Sequence, residues 1–349
     1  KDFALQLVAR MFAASLSRSG GRITLIGATS GDTGSAAIEA FAGLAGVEVF
    51  ILFPRGRVSE VQRRQMTTPV AANVHALAVE GDFDTCQALV KAAFNDHAFR
   101  DAVGLAGVNS INWARILAQV VYYVAAATAL GAPHRAVSFT VPTGNFGDIY
   151  AGSVARAMGL PVARLVVATN QNDILHRCLT TGVYAPEPVR PSISPSMDIQ
   201  VSSNFERALF DALGRDAPRL RALMDDLRAG AFTVPPEALA ALRRVYASGR
   251  ASEPETAAAI ARTLAETGEL LCPHTAVGVA VAERHLGPEP MITLATAHPA
   301  KFPEAVQAAT GRRPALPARL ADLFDRPERV TDLPADLGAL QALIRARLA

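Results

Sequence analysis

Lysine is nearly missing from this chain of 349 residues, where Lys1, Lys91 and Lys301 stand against 31 arginines. Cysteine is scarce too. Cys86, Cys178 and Cys272 are odd in number and widely spaced, without the paired spacing of a zinc site. That excludes a disulfide framework and reads as free thiols in a reducing compartment, by default the cytoplasm. Charge of one sign never accumulates: the formal net charge of +2 comes without a basic stripe, so nucleic acid is excluded as a partner. No run of eighteen apolar residues occurs, and the apolar segment 116–130 carries glutamine and tyrosines, as a core helix does and a membrane span does not. The residues given read as holding no signal peptide, internal repeat or low-complexity tract. What the chain does have is a 50% hydrophobic composition, enough for a large core and more than one domain in a globular, soluble protein.

Between residues 22 and 81 short apolar strands alternate with helical patterns. "RITLIGA", "VEVFILFP" and "VHALAVEG" read as strands, and 33–44 and 59–66 as helices, a rhythm that requires parallel pairing through crossovers. A helix around 83–94 and a glycine-containing loop follow. A long helix over 113–130, strand "AVSFTVP", helix 147–158 and strand "ARLVVATN" then repeat the rhythm. The spacing predicts a loop over 185–196, mostly helix over 205–286 with breaks near Thr233 and Ser252, and a last strand at "MITLATA". The segment from Gly311 onward reads as a tail that wraps. The expected division is a helix over 1–21, a small α/β domain over 22–108, a large α/β domain over 109–310 and a tail over 311–349.

The chain opens at Lys1 with "KDFALQLVARMFAASLSR", already inside a helical pattern and without an initiator methionine, so the expectation is that residues before Lys1 have been left out. Lysine scarcity gives each amine interest, because arginine stays protonated and cannot form an imine. Lys91 lies on an amphipathic helix and reads as a solvated cation. Lys301, after "TAHPA" near the last strand, reads as a surface cation at a helix start or as a residue near a site, the former preferred. Lys1 precedes a helix whose positive end would depress an amine's pKa, a setting suited to a Schiff base as well as to a terminal surface lysine.

Three loops have the makings of ligand sites. In "ATSGDTGSAA" (28–37), glycines, hydroxyls and a strand-to-helix switch are the parts of an anion-binding loop, yet Asp32 is a poor neighbour for a phosphate. It is either a helix cap or a group with a task. "VPTGNFGDIYAG" (141–152) is the better phosphate cradle: Gly144 and Gly147 let backbone N–H groups converge where a helix opens. It lacks the lysine of a P-loop and the spacing of a dinucleotide fingerprint. "NSINWAR" (109–115) puts Ser110 and Asn112 at a helix start and Arg115 in its first turn, which suits a second phosphate or an ordinary N-cap with a surface arginine. Cys272-Pro-His274 has no second ligand pair, so it reads as a helix-start turn and no metal is expected.

In order, "KDF" at Lys1, "TSGDTGSAA" at Thr29, "NSINWARI" at Asn109, "PTGNFGD" at Pro142, "SPSMDIQVSSNFER" at Ser194 and "TAHPAKF" at Thr296 closely resemble the threonine synthase family. These are pyridoxal-phosphate enzymes of fold type II, the tryptophan synthase β-like fold. The resemblance runs from Lys1 to about Phe302 and implies two doubly wound α/β domains. The departure is at the front, where the family carries a substantial region before its "FKDF" lysine.

The resemblance implies a PLP-dependent lyase that converts O-phospho-L-homoserine and water to L-threonine and phosphate. It implies that Lys1 attaches pyridoxal 5'-phosphate as an imine and then shuttles protons. Gly144, Asn145, Phe146 and Gly147 would hold the cofactor phosphate, and Thr296 would face the pyridine nitrogen. Thr29, Ser30, Gly31 and Thr33 would hold the substrate carboxylate, with Asp32 toward the cofactor's 3'-oxygen and imine. Asn109, Ser110 and Arg115 would grip the substrate phosphate. The rivals are a phospholyase or a serine/threonine dehydratase on the same fold, and a non-catalytic α/β protein that binds a small anion.

Overall fold

The computed structural model describes residues 1–349, which divide into two compact units: Lys1–Arg115 with Leu316–Ala349, and Ile116–Ala315. The first unit opens with α1 (Asp2–Ser19), β1 (Ile23–Ala28), α2 (Asp32–Phe41), β2 (Val47–Pro54), α3 (Glu60–Thr67), β3 (Val74–Val79), α4 (Phe83–Asn95), α5 (His97–Ala102) and β4 (Leu105–Gly107). Helix α6 (Trp113–Ala129) begins in the first unit and continues in the second. There follow β5 (Val137–Pro142), α7 (Gly147–Ala157), β6 (Val162–Thr169), α8 (Ile174–Thr181), β7 (Val183–Tyr184), α9 (Phe205–Ala212) and α10 (Ala217–Ala229). The second unit continues with β8 (Phe232–Thr233), α11 (Pro236–Val245), β9 (Tyr246–Arg250), α12 (Glu253–Thr267), α13 (Pro273–Ala282), β10 (Met291–Thr293) and α14 (Pro303–Thr310). The chain then returns to the first unit with β11 (Thr331–Leu333) and α15 (Leu337–Leu348).

The first unit is a five-stranded sheet in the order β11-β3-β2-β1-β4, parallel throughout. Side chains of a strand point alternately to its two faces, and β2 is apolar on both. Val49, Ile51 and Phe53 pack with Leu5 and Val8 of α1 and Ile38 and Phe41 of α2. Phe50 and Leu52 pack on the other side with Cys86 and Leu89 of α4 and Phe99 of α5. Helices on both faces make the unit doubly wound, in agreement with the expected class.

The C-terminal segment differs from its reading as a wrapping tail. β11 pairs with the edge of β3, and α15 buries Leu340 and Ile344 completely in the cluster that holds Cys86 and Phe99. The spacing of Leu340 and Ile344, one helical turn apart, carries that burial, while the prolines around β11 hide the strand. Residues 1–21 are likewise part of the first unit, through Leu5, Val8 and Ala9.

The second unit holds a parallel sheet in the order β10-β5-β6-β9 and a separate antiparallel pair, β7-β8. β9 falls inside the stretch read as mostly helical. "YASGR" has little strand propensity, but Gly249 fits where a Cβ would stand 2.7 Å from a Val281 methyl, so close approach to α13 favours it here. No helix is long and apolar enough to cross a membrane.

Strand order decides where ligands can bind. In the first unit the chain leaves β1 toward β2 and β3 on one side, and β4 joins β1 on the other. In the second it leaves β5 toward β6, while β10 joins β5 on the opposite side. Each reversal opens a crevice beyond the carboxyl ends of two adjacent parallel strands. The loops at those ends are 29–31 and 108–112 in the first unit, and 143–146 and 294–298 in the second.

Candidate active site

The loop after β1 is organised by Thr29, whose hydroxyl oxygen accepts the N–H groups of Gly31 and Gly34, both at 2.9 Å. Thr29 is therefore a buried brace, whereas Ser30 is exposed and Thr33 half-buried. Gly31 caps α2 at φ 133°, a conformation open to glycine, and a Cβ there would stand 2.5 Å from the Gln62 side chain. Asp32, in the first turn of α2, is buried. Its Oδ1 accepts Gln62 Nε2–H at 3.0 Å, and its Oδ2 lies 3.5 Å from Lys1 Nζ. Lys1 is the N-cap of α1, with its side chain 36% exposed, so this amine stands at a helix start beside a buried carboxylate. Lys91, by contrast, is exposed on α4, and Lys301 is half-buried in a short helical turn after His298.

Beside that loop, the segment after β4 forms two Asx turns. Asn109 Oδ1 accepts Ile111 N–H at 3.2 Å, and Asn112 Oδ1 accepts Ala114 N–H at 2.9 Å at the start of α6. Ser110 is half-buried between them. Arg115 is 5% exposed and donates through Nη1 to the Asn109 carbonyl at 2.7 Å. It is thus no surface arginine. Together with Asn109 and Asn112 it lines a small cavity whose apolar wall includes Leu5, Phe12 and Phe41. A guanidinium held in an apolar wall makes a strong, directional site for an anion.

In the second unit the loop after β5 is fastened from one side. Ser202 Oγ donates to the Gly144 carbonyl at 2.7 Å, Asn204 donates to the Asn145 carbonyl through both its backbone N–H (3.1 Å) and Nδ2 (2.9 Å), and Ser203 Oγ reaches Asn145 Oδ1 at 3.0 Å. A Cβ on Gly144 would stand 2.7 Å from the Ser196 carbonyl oxygen. Phe146 caps α7 at φ 63°, unusual for a bulky residue. Edge contacts from Phe205 at 5.2 Å and Tyr246 at 5.1 Å hold its fully buried ring there. α7 begins with no side-chain cap, so the first N–H groups of the helix are available to an anion. The first-turn carboxyl, Asp148, is pushed up from the usual carboxylate range by burial, partly opposed by the Tyr123 hydroxyl at 3.0 Å. Its Oδ1 and its carbonyl oxygen both accept the Tyr123 hydroxyl, which engages the carboxyl in the interior.

Thr296 follows β10 on the adjacent strand end. It is exposed, and its backbone N–H donates to Thr275 Oγ1 at 3.2 Å. His274, whose ring lies tilted against Phe302 with centroids 4.7 Å apart, accepts Ser196 N–H at 3.1 Å, and so the first turn of α13 steadies the chain at Ser196 and at Thr296. Cys272 acts there as an N-cap through sulfur. No group of three His, Cys, Asp or Glu could hold a metal ion. Burial pushes the Cys86 thiol up to about 11 and the Cys178 thiol to about 12, so neither is a ready nucleophile. Gln62, Ser202–Asn204 and the pair His274 and Thr275 are the supporting residues that sequence reasoning left without a role. The capping-box spacing of Ser59 and Gln62 is a local signal for the first of them, and Ser202–Asn204 lie in the stretch from Ser194 that carries the family resemblance.

Comparison with known proteins places the chain in a family. A model of the family "Pyridoxal-phosphate dependent enzyme" matches residues 1–296, and one of "Threonine synthase, C-terminal" matches residues 275–344. A threonine synthase of Pseudomonas aeruginosa is 54% identical over 348 residues, covering 99% of this chain and 74% of the relative. A PLP-bound threonine synthase structure from Brucella melitensis superposes with a TM-score of 0.97 at 57% identity, over 99% of this chain and 75% of that one. The yeast threonine synthase structure gives a TM-score of 0.92 at 38% identity, with the same coverage of both chains. Its pyridoxal-phosphate fold type II and its relatives thus agree: this chain belongs to the threonine synthase family of PLP-dependent lyases.

Proposed function

We propose that this chain converts O-phospho-L-homoserine and water to L-threonine and inorganic phosphate, with Lys1 as the cofactor lysine. The observation that carries the assignment is the Lys1 amine 3.5 Å from the buried Asp32 carboxylate, at the strand-order reversal of the first unit. The residues fit pyridoxal phosphate. The uncapped start of α7 presents neutral N–H donors, Gly144 keeps its Cα side free of a Cβ that would strike Ser196, and the first-turn carboxyl of Asp148 is engaged by the Tyr123 hydroxyl in the interior. When bound, the cofactor supplies an electron sink for carbanions at the substrate.

The chain's own residues then have separable tasks. Gly144, Asn145, Phe146 and Gly147 would hold the cofactor phosphate, and the Thr296 hydroxyl would serve the pyridine nitrogen as a neutral partner that does not enforce its protonation. Ser30 and Thr33 offer hydroxyls to the substrate carboxylate, and Thr29 and Gly31, whose own N–H groups are engaged by the Leu52 carbonyl and by Thr29 Oγ1, give the loop around it its shape. Arg115, aided by Asn109 and Ser110, holds the substrate phosphate. Lys1 Nζ takes the α-proton and moves protons at the neighbouring carbons, and Asp32 balances its positive charge. A β-proton leaves as the Cγ–O bond breaks with loss of phosphate, Cγ gains a proton, the hydroxyl of water joins Cβ while its other proton is released, and a proton returns to Cα.

Three buried free cysteines support a reducing, cytoplasmic setting for this activity. The test is a substrate comparison with the purified holoenzyme. Equimolar L-threonine and phosphate from O-phospho-L-homoserine are expected, and preferential deamination of threonine or serine, or phosphate release without threonine, would overturn the reading.

A further inference from the structure

Gln62 lies 30 residues from Asp32 in sequence, is 4% exposed, and has its amide orientation decided by its partners. On one side Ser59 N–H (3.4 Å) and Ser59 Oγ–H (3.0 Å) both point at Oε1. On the other the Asp32 carboxylate, an acceptor, stands 3.0 Å from Nε2. Only one orientation of the amide satisfies both sides. Ser59 in turn is fixed because it caps α3 in a reciprocal capping box with Gln62. The charged neighbours on α3 are engaged elsewhere: Glu60 pairs with Arg63 and Arg64, and both arginines meet Glu328. Gly31 leaves the space for this latch, since a Cβ there would stand 2.5 Å from the Gln62 side chain.

We infer that Gln62 is a positioning residue for the reaction: it holds the Asp32 carboxylate so that Oδ2 faces Lys1 Nζ. This rests on the assignment of Lys1 and Asp32 made above. A bare carboxylate at a helix start could turn toward backbone N–H groups or water. With Oδ1 tied to the Gln62 amide, rotation about the Asp32 side chain is arrested and its charge is directed at the amine. The chain Ser59 to Gln62 to Asp32 also polarises in one direction, each bond strengthening the next.

The test is a double-mutant cycle read by the pH titration of the holoenzyme's visible cofactor band, which reports protonation at the Lys1 nitrogen. Asp32→Asn is compared in two backgrounds, the native chain and Gln62→Met, which keeps the side-chain length and loses the hydrogen bonds. In the native background Asp32→Asn is expected to lower the midpoint by about one unit, as removal of a nearby opposite charge does. In the Gln62→Met background the same substitution should move it by less than half as much. An equal shift in both backgrounds would mean that Gln62 only packs against Gly31, and overturns the positioning role alone. No shift in the native background would overturn both the role and the Asp32 assignment beneath it. If Gln62→Met fails to fold, Gln62→Asn, which keeps the amide but falls one methylene short, carries the same comparison with the same outcomes.

Discussion

Lys1 Nζ and Asp32 Oδ2 are 3.5 Å apart, with the amine partly exposed and the carboxylate 8% exposed. The sequence alone made Asp32 look misplaced in an anion-binding loop. Its partner is an amine, and that resolves the conflict: the carboxylate balances a cation held at the positive end of α1. Asp32→Asn should retain cofactor, because the proposed phosphate contacts lie in 144–147, while the visible band titrates at lower pH. A midpoint that stays or rises would reduce Asp32 to a helix cap.

Lys1→Ala, made in the complete chain, should abolish the visible cofactor band and the activity and leave the fold intact by circular dichroism. Lys91 is exposed and Lys301 lies in a separate helical turn, so neither is expected to substitute. A borohydride-stable cofactor adduct in the mutant would refute the assignment and point to Lys301.

Arg115→Ala should weaken use of O-phospho-L-homoserine much more than cofactor binding. A charge-assisted bond to a phosphate contributes about 1.5 to 3 kcal/mol, roughly tenfold to a hundredfold in kcat/KM. Because Arg115 also bonds the Asn109 carbonyl, a stability measurement must accompany the kinetics. Parallel losses in cofactor affinity and in kcat/KM would mean that the guanidinium supports the loop and not the substrate.

Legibility in the sequence followed the locality of the physics. β2 could be read because "VEVFILFP" is apolar on both faces, and the glycine loops because strand, glycine and helix start are consecutive. β9 could not, since "YASGR" becomes a strand only through its neighbours β6 and α13. The segment around β11 and α15 reads as a tail in the sequence because its place on β3 and α4 is a long-range choice. In the site, Lys1, Asp32 and Gly144 stood out by type and context. Gln62 did not, because its contact with Asp32 spans 30 residues and leaves no periodic trace.

Glu328 fastens the C-terminal segment to α3, the helix that carries Gln62. Its carboxylate accepts Thr67 Oγ1–H at 2.7 Å, pairs with Arg63 and lies 3.8 Å from Arg64. Burial pushes its pKa up, but the Thr67 hydroxyl and Arg63 outweigh that and leave it below the ordinary value of 4.5. A depressed folded-state value means stabilisation that is fully present above the ordinary glutamate value and is lost as pH falls through the folded one. Glu328→Gln should therefore melt below the native chain at pH 7, by roughly 2 °C for about 1 kcal/mol, and the gap should close below pH ~4. Melting curves from pH 3 to 7 test this, and a gap independent of pH would mean that shape and not charge holds the segment.

Gly144→Ala probes the proposed cofactor cradle. The added Cβ would stand 2.7 Å from the Ser196 carbonyl oxygen, and that oxygen cannot easily retreat, because Ser196 N–H is bonded to His274. The loop of 144–147 must move instead, which turns its N–H groups away from a common point. Affinity for pyridoxal phosphate should fall about tenfold or more, equivalent to roughly 1.4 kcal/mol. Gly159→Ala supplies the control, near the far end of α7. There φ is 104° and nothing lies within 4 Å of the new Cβ, so backbone strain should lower stability by about 1 kcal/mol while cofactor affinity is retained. Titration of cofactor-free protein with pyridoxal phosphate, beside a melting curve for each variant, separates the two effects. Equal affinities for Gly144→Ala and the native chain would remove the loop after β5 from the phosphate site.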